Sequence, residues 1–194
     1  MIHTFSRPAS PRVLAIMGST RAGRHCPKIA DWVAALAREA TGLTFELTDL
    51  RDWHLPMDDE PGIPAVGGYT QAHTGAWSAK VAGADAILFV TPQYNWGYPA
   101  PLKNALDHLY KEWTGKPAMI VTYGSHGGGK CAAQLRQVAE GLKMRPVTTM
   151  PAITLTDAMI LNGEFVPEKD LSTHATTIRQ AAAELAAQLA VTAG

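Results

Sequence analysis

The chain has few cysteines, and its charges balance. Only Cys26 and Cys131 occur among its 194 residues, and they form no C-x-x-C pair. This usage favours a reduced, cytoplasmic protein over a disulfide-stabilised secreted scaffold. The 17 lysine and arginine residues match the 17 aspartate and glutamate residues, which gives a formal net charge of zero. A neutral chain offers no electrostatic reason to expect a nucleic-acid or membrane partner.

Long hydrophobic runs are missing as well. No segment approaches the ~20 consecutive apolar residues of a membrane-spanning helix. The start of the chain is polar and contains proline, so residues 1–10 are expected to form a loose leader and not a signal peptide. Apolar residues still make up 46% of the chain, enough for a large core. A single domain over residues 1–194 is therefore predicted.

Short apolar segments alternate with segments of helical periodicity along the chain. Strands are predicted at 12–17, 45–50, 85–90, 118–123 and 146–153, and helices at 26–40, 70–82, 100–112, 130–143 and 168–190. Such alternation predicts a parallel sheet with helices on both faces. Residues 51–69 are expected to form a long surface loop, and residues 156–167 a hairpin-like or irregular tail.

Three polar or glycine-rich loops follow the first, third and fourth predicted strands, at 18–26, 91–101 and 124–130. Ligands of open parallel sheets bind outside the carboxyl ends of the strands. We therefore expect the three loops to build one pocket.

The first loop combines hydroxyl groups with cations. Ser19, Thr20, Arg21 and Arg24 lie just before a predicted helix N-terminus, a combination suited to a phosphate group. The alternative is an ordinary polar turn with a capping residue. Thr20 breaks the G-x-G-x-x-G pattern, so the dinucleotide fingerprint is absent.

The second loop, 91–101, contains three prolines, one glycine and three aromatic residues. Such a loop is stiff and flat-sided, and it is costly to expose unless its rings meet something. A flat ligand stacked at the end of the third strand is the hypothesis that it suggests.

The third loop resembles two other motifs incompletely. Residues 124–131 follow G-x-x-x-x-G-K-[ST] except that Cys131 replaces the hydroxyl residue that binds Mg²⁺, which leaves a nucleoside triphosphatase as a weak alternative. Ser125 and His126 suggest a hydrolase, but Tyr123 stands where G-x-S-x-G needs glycine. We expect the glycines to let backbone N–H groups approach a ligand edge.

The remaining predictions concern the histidines, Cys26 and one apolar helical face. Seven histidines are present without H-x-x-x-H spacing, so no metal site is expected. Cys26 is either a reactive thiol at a helix start or, as we favour, a packing residue or a neighbour of the phosphate. One helical face is expected to pack in the core, with room for a partner helix: Leu102, Leu106, Leu109, Tyr110 and Trp113.

Taken together, three motifs resemble the NADPH-dependent FMN reductase family, which includes quinone, azo-dye and chromate reductases. They are Gly18-Ser19-Thr20-Arg21, Pro92-Gln93-Tyr94-Asn95 with the helix start at 99–107, and the glycine loop 124–129. The resemblance implies a flavodoxin-like three-layer α/β sandwich, with a five-stranded parallel sheet of order 2-1-3-4-5. It also implies bound FMN and a homodimer or homotetramer.

The resemblance further implies that NADPH or NADH reduces the flavin, and that a small oxidant such as a quinone, free flavin or azo compound is then reduced. The alternative is a non-enzymatic FMN electron carrier of the flavodoxin type. Typical flavodoxins are acidic and hold the phosphate without a cation, so the neutral charge and Arg21 favour the enzyme.

Site residues follow from the resemblance as expectations. Ser19, Arg21 and the helix start at Cys26 would hold the FMN phosphate, with Thr20 and Arg24 beside them. Five residues would line the flavin: Pro92, Gln93, Tyr94, Asn95 and Trp96. Gly124, Ser125 and His126 would approach its pyrimidine edge. No catalytic side chain is expected, because the flavin carries the chemistry.

Two features depart from the family pattern. Cys26 stands where many relatives have serine, and residues 96–98 are aromatic-rich where small or polar residues are common. The second departure is expected to affect substrate choice or a subunit interface.

Overall fold

The structure is a computed structural model that describes residues 11–57 and 59–192. The predicted leader, 1–10, lies outside the described residues. The strands are β1 (Arg12–Met17), β2 (Thr44–Asp49), β3 (Ala86–Pro92), β4 (Pro117–Gly124), β5 (Arg145–Pro146) and β6 (Ala152–Thr154). The helices are α1 (Cys26–Thr41), α2 (Ala72–Ala82), α3 (Ala100–Asp107), α4 (Gly129–Gly141), α5 (Asp157–Asn162), α6 (Pro167–Asp170) and α7 (Ala175–Thr192).

The strands form one parallel sheet in the order β2-β1-β3-β4-β5, and β6 also pairs with β4. β3 lies at the centre and is buried throughout, as its unbroken apolar sequence predicts. The chain order reverses direction between β1 and β3, which is the switch point where ligands of such sheets bind.

Helices cover both faces of the sheet. Because side chains alternate along a strand, Leu88 and Val90 of β3 pack on the face that also holds α1 and α7. Ile87 and Phe89 point to the opposite face, where they meet residues of α2, α3 and α4. The predicted flavodoxin-like three-layer fold is confirmed.

The fifth predicted strand is broken, because the sequence at this edge has proline at both ends. Residues 146–153 were expected to form one strand, but only β5 and β6 pair with β4. Pro146 and Pro151 have no N–H to donate. Between them, the N–H of Thr149 donates to the Glu184 carboxylate of α7 over 2.9 Å instead.

The third helix ends earlier than its apolar stripe predicts. α3 stops at Asp107, and the indole N–H of Trp113 folds back to donate to the Leu106 carbonyl at 3.1 Å. The Leu106 carbonyl also accepts from the Leu109 N–H at 3.3 Å, so both bonds close the end of the helix. Leu109 and Trp113 remain buried, so the stripe predicted burial correctly and helical geometry wrongly.

The C-terminal part contains more short helices than predicted. Residues 156–167 are not a hairpin: Thr156 caps α5 by accepting from the Met159 N–H, and Gly163, with φ of 68°, ends it. The long helix expected at 168–190 is divided into α6, a short 3₁₀ turn at Ser172–His174, and α7.

Candidate functional site

The three loops meet at the carboxyl edge of the sheet and are joined by hydrogen bonds. Ser19 Oγ of the first loop lies 2.9 Å from the Tyr94 hydroxyl of the second. The Gln93 N–H donates to the Tyr123 carbonyl at 2.8 Å, and Gln93 Oε1 accepts from the Cys131 N–H at the start of α4 at 3.1 Å. The expectation of one combined site therefore agrees with the geometry.

A cavity of about 320 Å³ opens between these loops. Part of its lining belongs to the predicted set: Arg21, Arg24, Pro92, Gln93, Tyr94, Gly124 and Ser125. Other lining residues were not predicted: Gly23, His25, Tyr123, Leu155 and Ile160. We call this space the central cavity.

Arg21 is held in place by the aromatic loop. Its guanidinium carbon lies 3.7 Å from the centroid of the Tyr94 ring, a cation–π contact. Its backbone N–H donates to Ser19 Oγ at 3.4 Å, and Ser19 is fully buried. The positive charge of Arg21 thus stands at the wall of the central cavity, and its contact with a phosphate stays a prediction.

Arg24 is paired with a residue that the sequence did not indicate. Its guanidinium forms an ion pair with Asp49 at the end of β2, and only 6% of the Arg24 side chain is exposed. Such a pair fixes the position of a planar guanidinium that still has further N–H donors.

Two residues that line the central cavity carry buried donors. Arg24 Nε and the Tyr123 hydroxyl make no hydrogen bond of ordinary geometry among the described residues, and the Tyr123 hydroxyl lies beside the Cys26 thiol. Burial, and then the neighbouring Cys26, raise the pKa of Tyr123 well above its usual value, so the hydroxyl keeps its proton. Neither buried atom is exposed to the cavity, so the fit of a ligand depends on the rest of the lining. That lining contains Arg21 and Arg24, the flat faces of Pro92 and Tyr94, and no acidic residue among those described, so these residues fit the phosphate and the ring system of FMN.

Cys26 is a poor candidate for a reactive thiol. It is fully buried, and its Sγ donates to the Val90 carbonyl at 3.2 Å. Burial raises its pKa, which keeps the thiol protonated at neutral pH. The packing interpretation is therefore favoured, and contact of the helix start at Cys26 with phosphate stays a prediction.

Trp96 lies outside the central cavity because of a tight turn. Backbone hydrogen bonds of 2.8 and 2.9 Å between Tyr94 and Gly97 close this turn. Asn95 and Trp96 occupy its two central positions with φ of 47° and 70°, values that glycine usually supplies. The turn holds the Trp96 ring outward, 63% exposed, in a second cleft that also contains His126. Thr20 likewise lines a separate cavity, beside Trp53 and Asn104.

The glycine loop 124–129 packs closely on β4, in addition to its expected role in ligand access. Gly128 has φ of 90°, and an added Cβ would lie 2.7 Å from the Thr122 side chain. Glycine is therefore required at position 128, because the loop lies too close to β4 for a side chain. From the sequence, these glycines were related to ligand access and not to this packing. Ser125 Oγ and His126 Nδ1 are 3.0 Å apart, but among the described residues no carboxylate hydrogen-bonds to His126. A Ser-His-Asp arrangement is thus not formed.

The comparisons with known proteins agree with this geometry. A sequence model described as NADPH-dependent FMN reductase matches residues 11–157. The chain belongs to the NADPH-dependent FMN reductase family. It is 54% identical over 177 residues to an NAD(P)H-dependent FMN reductase of Schizosaccharomyces pombe, covering 90% of this chain and 88% of the relative. It is 44% identical over 180 residues to one of Saccharomyces cerevisiae, covering 87% and 93%.

A solved structure supports the fold of this family member. FerB, a flavoenzyme NAD(P)H:(acceptor) oxidoreductase of Paracoccus denitrificans, superposes with a TM-score of 0.68 at 22% identity, over 90% of this chain and 97% of FerB. Family membership confirms the predicted resemblance, and the enzyme class is confirmed over the electron carrier. The predicted use of FMN and NAD(P)H is confirmed with it.

The structure also brings together three residues that are far apart in the sequence. Ligand atoms of Asp59, His73 and His108 lie within 4.8 Å of one another. Both ring nitrogens of His108 already have partners, Thr74 Oγ1 at 3.1 Å and the Pro56 carbonyl at 2.8 Å. This hydrogen-bonded group ties the long loop 51–69 to α2 and α3. That the protein holds no metal stays a prediction.

Sequence reasoning missed Asp49 and Tyr123. Asp49 ends β2 and Tyr123 is the last residue but one of β4, at the edge where the loops meet. A signal was present, since a polar side chain that ends a parallel strand lies at the ligand-binding edge. Separately, no helix in the part of the chain that the structure describes is long and apolar enough to cross a membrane.

Proposed function

We propose that the central cavity holds FMN, with its phosphate on Ser19, Arg21, Arg24 and the start of α1. The observation that carries this proposal is the donor set of the cavity, whose described lining holds Arg21 and Arg24 and no acidic residue. Pro92, Gln93, Tyr94 and Asn95 then form one wall for the flavin, and Gly124 and Ser125 approach its edge. When bound, FMN supplies the hydride and electron transfer.

The protein side chains bind and orient in this proposal. Asp49 holds Arg24, and Tyr94 holds Arg21 by stacking, so both cations are placed before the phosphate arrives. A preorganised site loses less conformational freedom on binding. Burial keeps Cys26 and Tyr123 protonated, so neither acts as a general base at neutral pH.

The donor is NADPH or NADH, and the oxidant is a small, flat molecule such as a quinone, free flavin or azo compound. Support comes from the second loop, which presents an aromatic surface beside the central cavity, including the exposed Trp96. Flat aromatic partners stack on such surfaces.

The protein works in the cytoplasm as a homodimer or a dimer of dimers. Its two free, buried cysteines suit a reduced compartment. Loop 51–69 exposes Met57, Ile63 and Val66, each more than 70%, as an interface would. Light scattering after size exclusion would give the mass in solution, and a monomer at micromolar concentration would contradict the assembly.

One titration tests the function. The purified protein is saturated with FMN, and its flavin absorbance is followed anaerobically as NADPH is added. We expect the absorbance to bleach and to return when a quinone is added. Bound flavin that NADPH and NADH both fail to bleach would contradict the reductase and favour an electron carrier.

A further inference from the structure

A second cleft lies next to the central cavity and has a different lining. Its volume is about 370 Å³, and it is formed by Gln93, Trp96, His126, Gly129 and Lys130. Gln93 lines both spaces, so the two are adjacent. We call this space the Trp96 cleft.

The Trp96 cleft offers a flat aromatic surface that internal packing does not use. The Trp96 ring remains 63% exposed, although tryptophan usually buries its large apolar area. Lys130 Nζ covers one face, 2.8 Å from the ring centroid. The exposed remainder of the ring is available to stack against a planar group.

Lys130 carries the only formal charge among the described lining residues of this cleft. Lys130 and His126 are the ionisable residues of the cleft, and none of its described lining residues is acidic. The first turn of α4, which is described in full, has no acidic residue either. Lys130 is the second residue of α4, where the helix dipole disfavours a positive charge. A bound anion would relieve this repulsion.

We propose that the Trp96 cleft binds the planar, negatively charged part of a reaction partner, an aromatic ring system carrying a phosphate, sulfonate or carboxylate. The ring stacks on Trp96, and the anion pairs with Lys130 and His126. Two sources have this chemistry: the adenosine 2′-phosphate of NADPH, and an anionic aromatic oxidant. This inference rests on the proposed function, because it assigns the cleft to a partner of the same flavin reaction.

The test compares Lys130→Ala with Lys130→Arg and with Lys169→Ala, which removes an exposed lysine of α6 remote in sequence from the cleft. One arm measures kcat/KM for NADPH and for NADH. The other measures kcat/KM for a sulfonated naphthoquinone and for its uncharged parent. We expect Lys130→Ala to lower one ratio of charged to uncharged partner about tenfold, the scale of a charge-assisted contact. Lys130→Arg should retain the ratio.

A loss confined to NADPH assigns the cleft to the 2′-phosphate, and a loss confined to the sulfonated quinone assigns it to the oxidant. If Lys130→Ala changes neither ratio, the proposal is wrong. Calorimetric titration of the FMN-loaded protein with 2′,5′-ADP and with 5′-AMP separates this failure from failure of the proposed function. Binding of 2′,5′-ADP that depends on Lys130 would support the cleft even if no turnover occurred. If no turnover occurs, equal or absent binding of 2′,5′-ADP to the unmodified protein and to Lys130→Ala would overturn it.

Discussion

The side-chain oxygens of Ser19 and Tyr94 lie 2.9 Å apart, although 75 positions separate the two residues. Ser19 belongs to the loop after β1, and Tyr94 to the aromatic loop after β3. Their hydrogen bond joins the proposed phosphate end of the site to the proposed flavin end. Arg21 stacks on the same Tyr94 ring, so Tyr94 positions both Ser19 and Arg21 of the first loop.

Two substitutions at Tyr94 should distinguish the role of its ring from the role of its hydroxyl. Tyr94→Ala removes the stacking partner of Arg21 and the bond to Ser19, so FMN binding or turnover should change. Tyr94→Phe keeps the ring and should weaken FMN binding less, by about 0.5–1.5 kcal/mol for one neutral hydrogen bond. Fluorescence titration with FMN measures both. If Tyr94→Ala leaves affinity and turnover unaltered, Tyr94 is a packing residue only.

Arg21→Ala should weaken FMN binding by about 1–3 kcal/mol, the scale of a charge-assisted hydrogen bond. Equilibrium titration of the apoprotein with FMN gives this value directly. Arg38→Ala, which removes an exposed arginine from the last turn of α1, is the matched control and should bind FMN normally. Equal affinities of the two variants would exclude Arg21 from the phosphate site.

Tyr123→Phe tests whether the buried Tyr123 hydroxyl serves the fold or the cofactor. The hydroxyl lies beside the Cys26 thiol and is not exposed to the central cavity. The apoprotein should therefore lose about 0.5–1.5 kcal/mol of stability, the scale of one hydrogen bond, and FMN affinity should stay unchanged. Thermal unfolding with and without FMN measures both effects. A lower FMN affinity with an equally stable apoprotein would show that the hydroxyl contacts the cofactor.

Gly128→Ala should destabilise the protein by about 1–3 kcal/mol, the range of an L-residue held in a sparsely populated backbone region. The added Cβ would also approach the Thr122 side chain to 2.7 Å. Gly129→Ala is the control, since its Cβ would meet nothing within 4 Å. Urea unfolding compares the two. Similar midpoints would mean that the loop adjusts without strain.

The stability that Glu60 of loop 51–69 contributes to the fold should depend on pH. The Glu60 carboxylate accepts hydrogen bonds from the N–H groups of Thr70 and Gln71 at 2.9 and 3.0 Å. Desolvation raises the pKa of Glu60, but these bonds outweigh it and lower the pKa from 4.5 to about 2. Because the folded-state pKa is depressed, the contribution to stability is present above pH 4.5 and is lost as the pH falls towards 2.

Glu60→Gln should remove this part of the pH dependence. Stability of the unmodified protein and of Glu60→Gln, measured from pH 7 to pH 2, should therefore converge as the pH falls. Parallel curves over the whole range would show that the depressed pKa does not couple to folding.

The predicted fold depended on local patterns, and those patterns were sufficient for most elements. Unbroken apolar runs marked β1 and β3, and the alternation with helices fixed a parallel sheet. Errors arose where a side chain outside the element contacts its end. The carboxylate of Glu184, 35 positions along the chain, accepts from the Thr149 N–H at the edge of the sheet, and the Trp113 indole folds back to the Leu106 carbonyl where α3 ends. Neither contact leaves a local signal in sequence.

The positions of the candidate-site residues could likewise be predicted only where local patterns place them. Motif order placed Ser19, Arg21, Gln93 and Tyr94 at one edge of the sheet, because loops at the carboxyl ends of parallel strands must meet. Trp96 was expected at the flavin wall, but a turn with two left-handed residues carries it into a neighbouring cleft. A turn of this kind is usually signalled by glycine, which these positions lack.

The sequence by itself determined the class of fold, the family and the edge of the sheet where chemistry occurs, since these depend on periodicity and on motifs within short segments. Only the tertiary structure decided that Asp49 orients Arg24, that the Tyr123 hydroxyl is buried beside Cys26, and that Cys26 is buried and protonated. Those features depend on burial and on distances between residues far apart in the chain, which the order of residues alone does not specify.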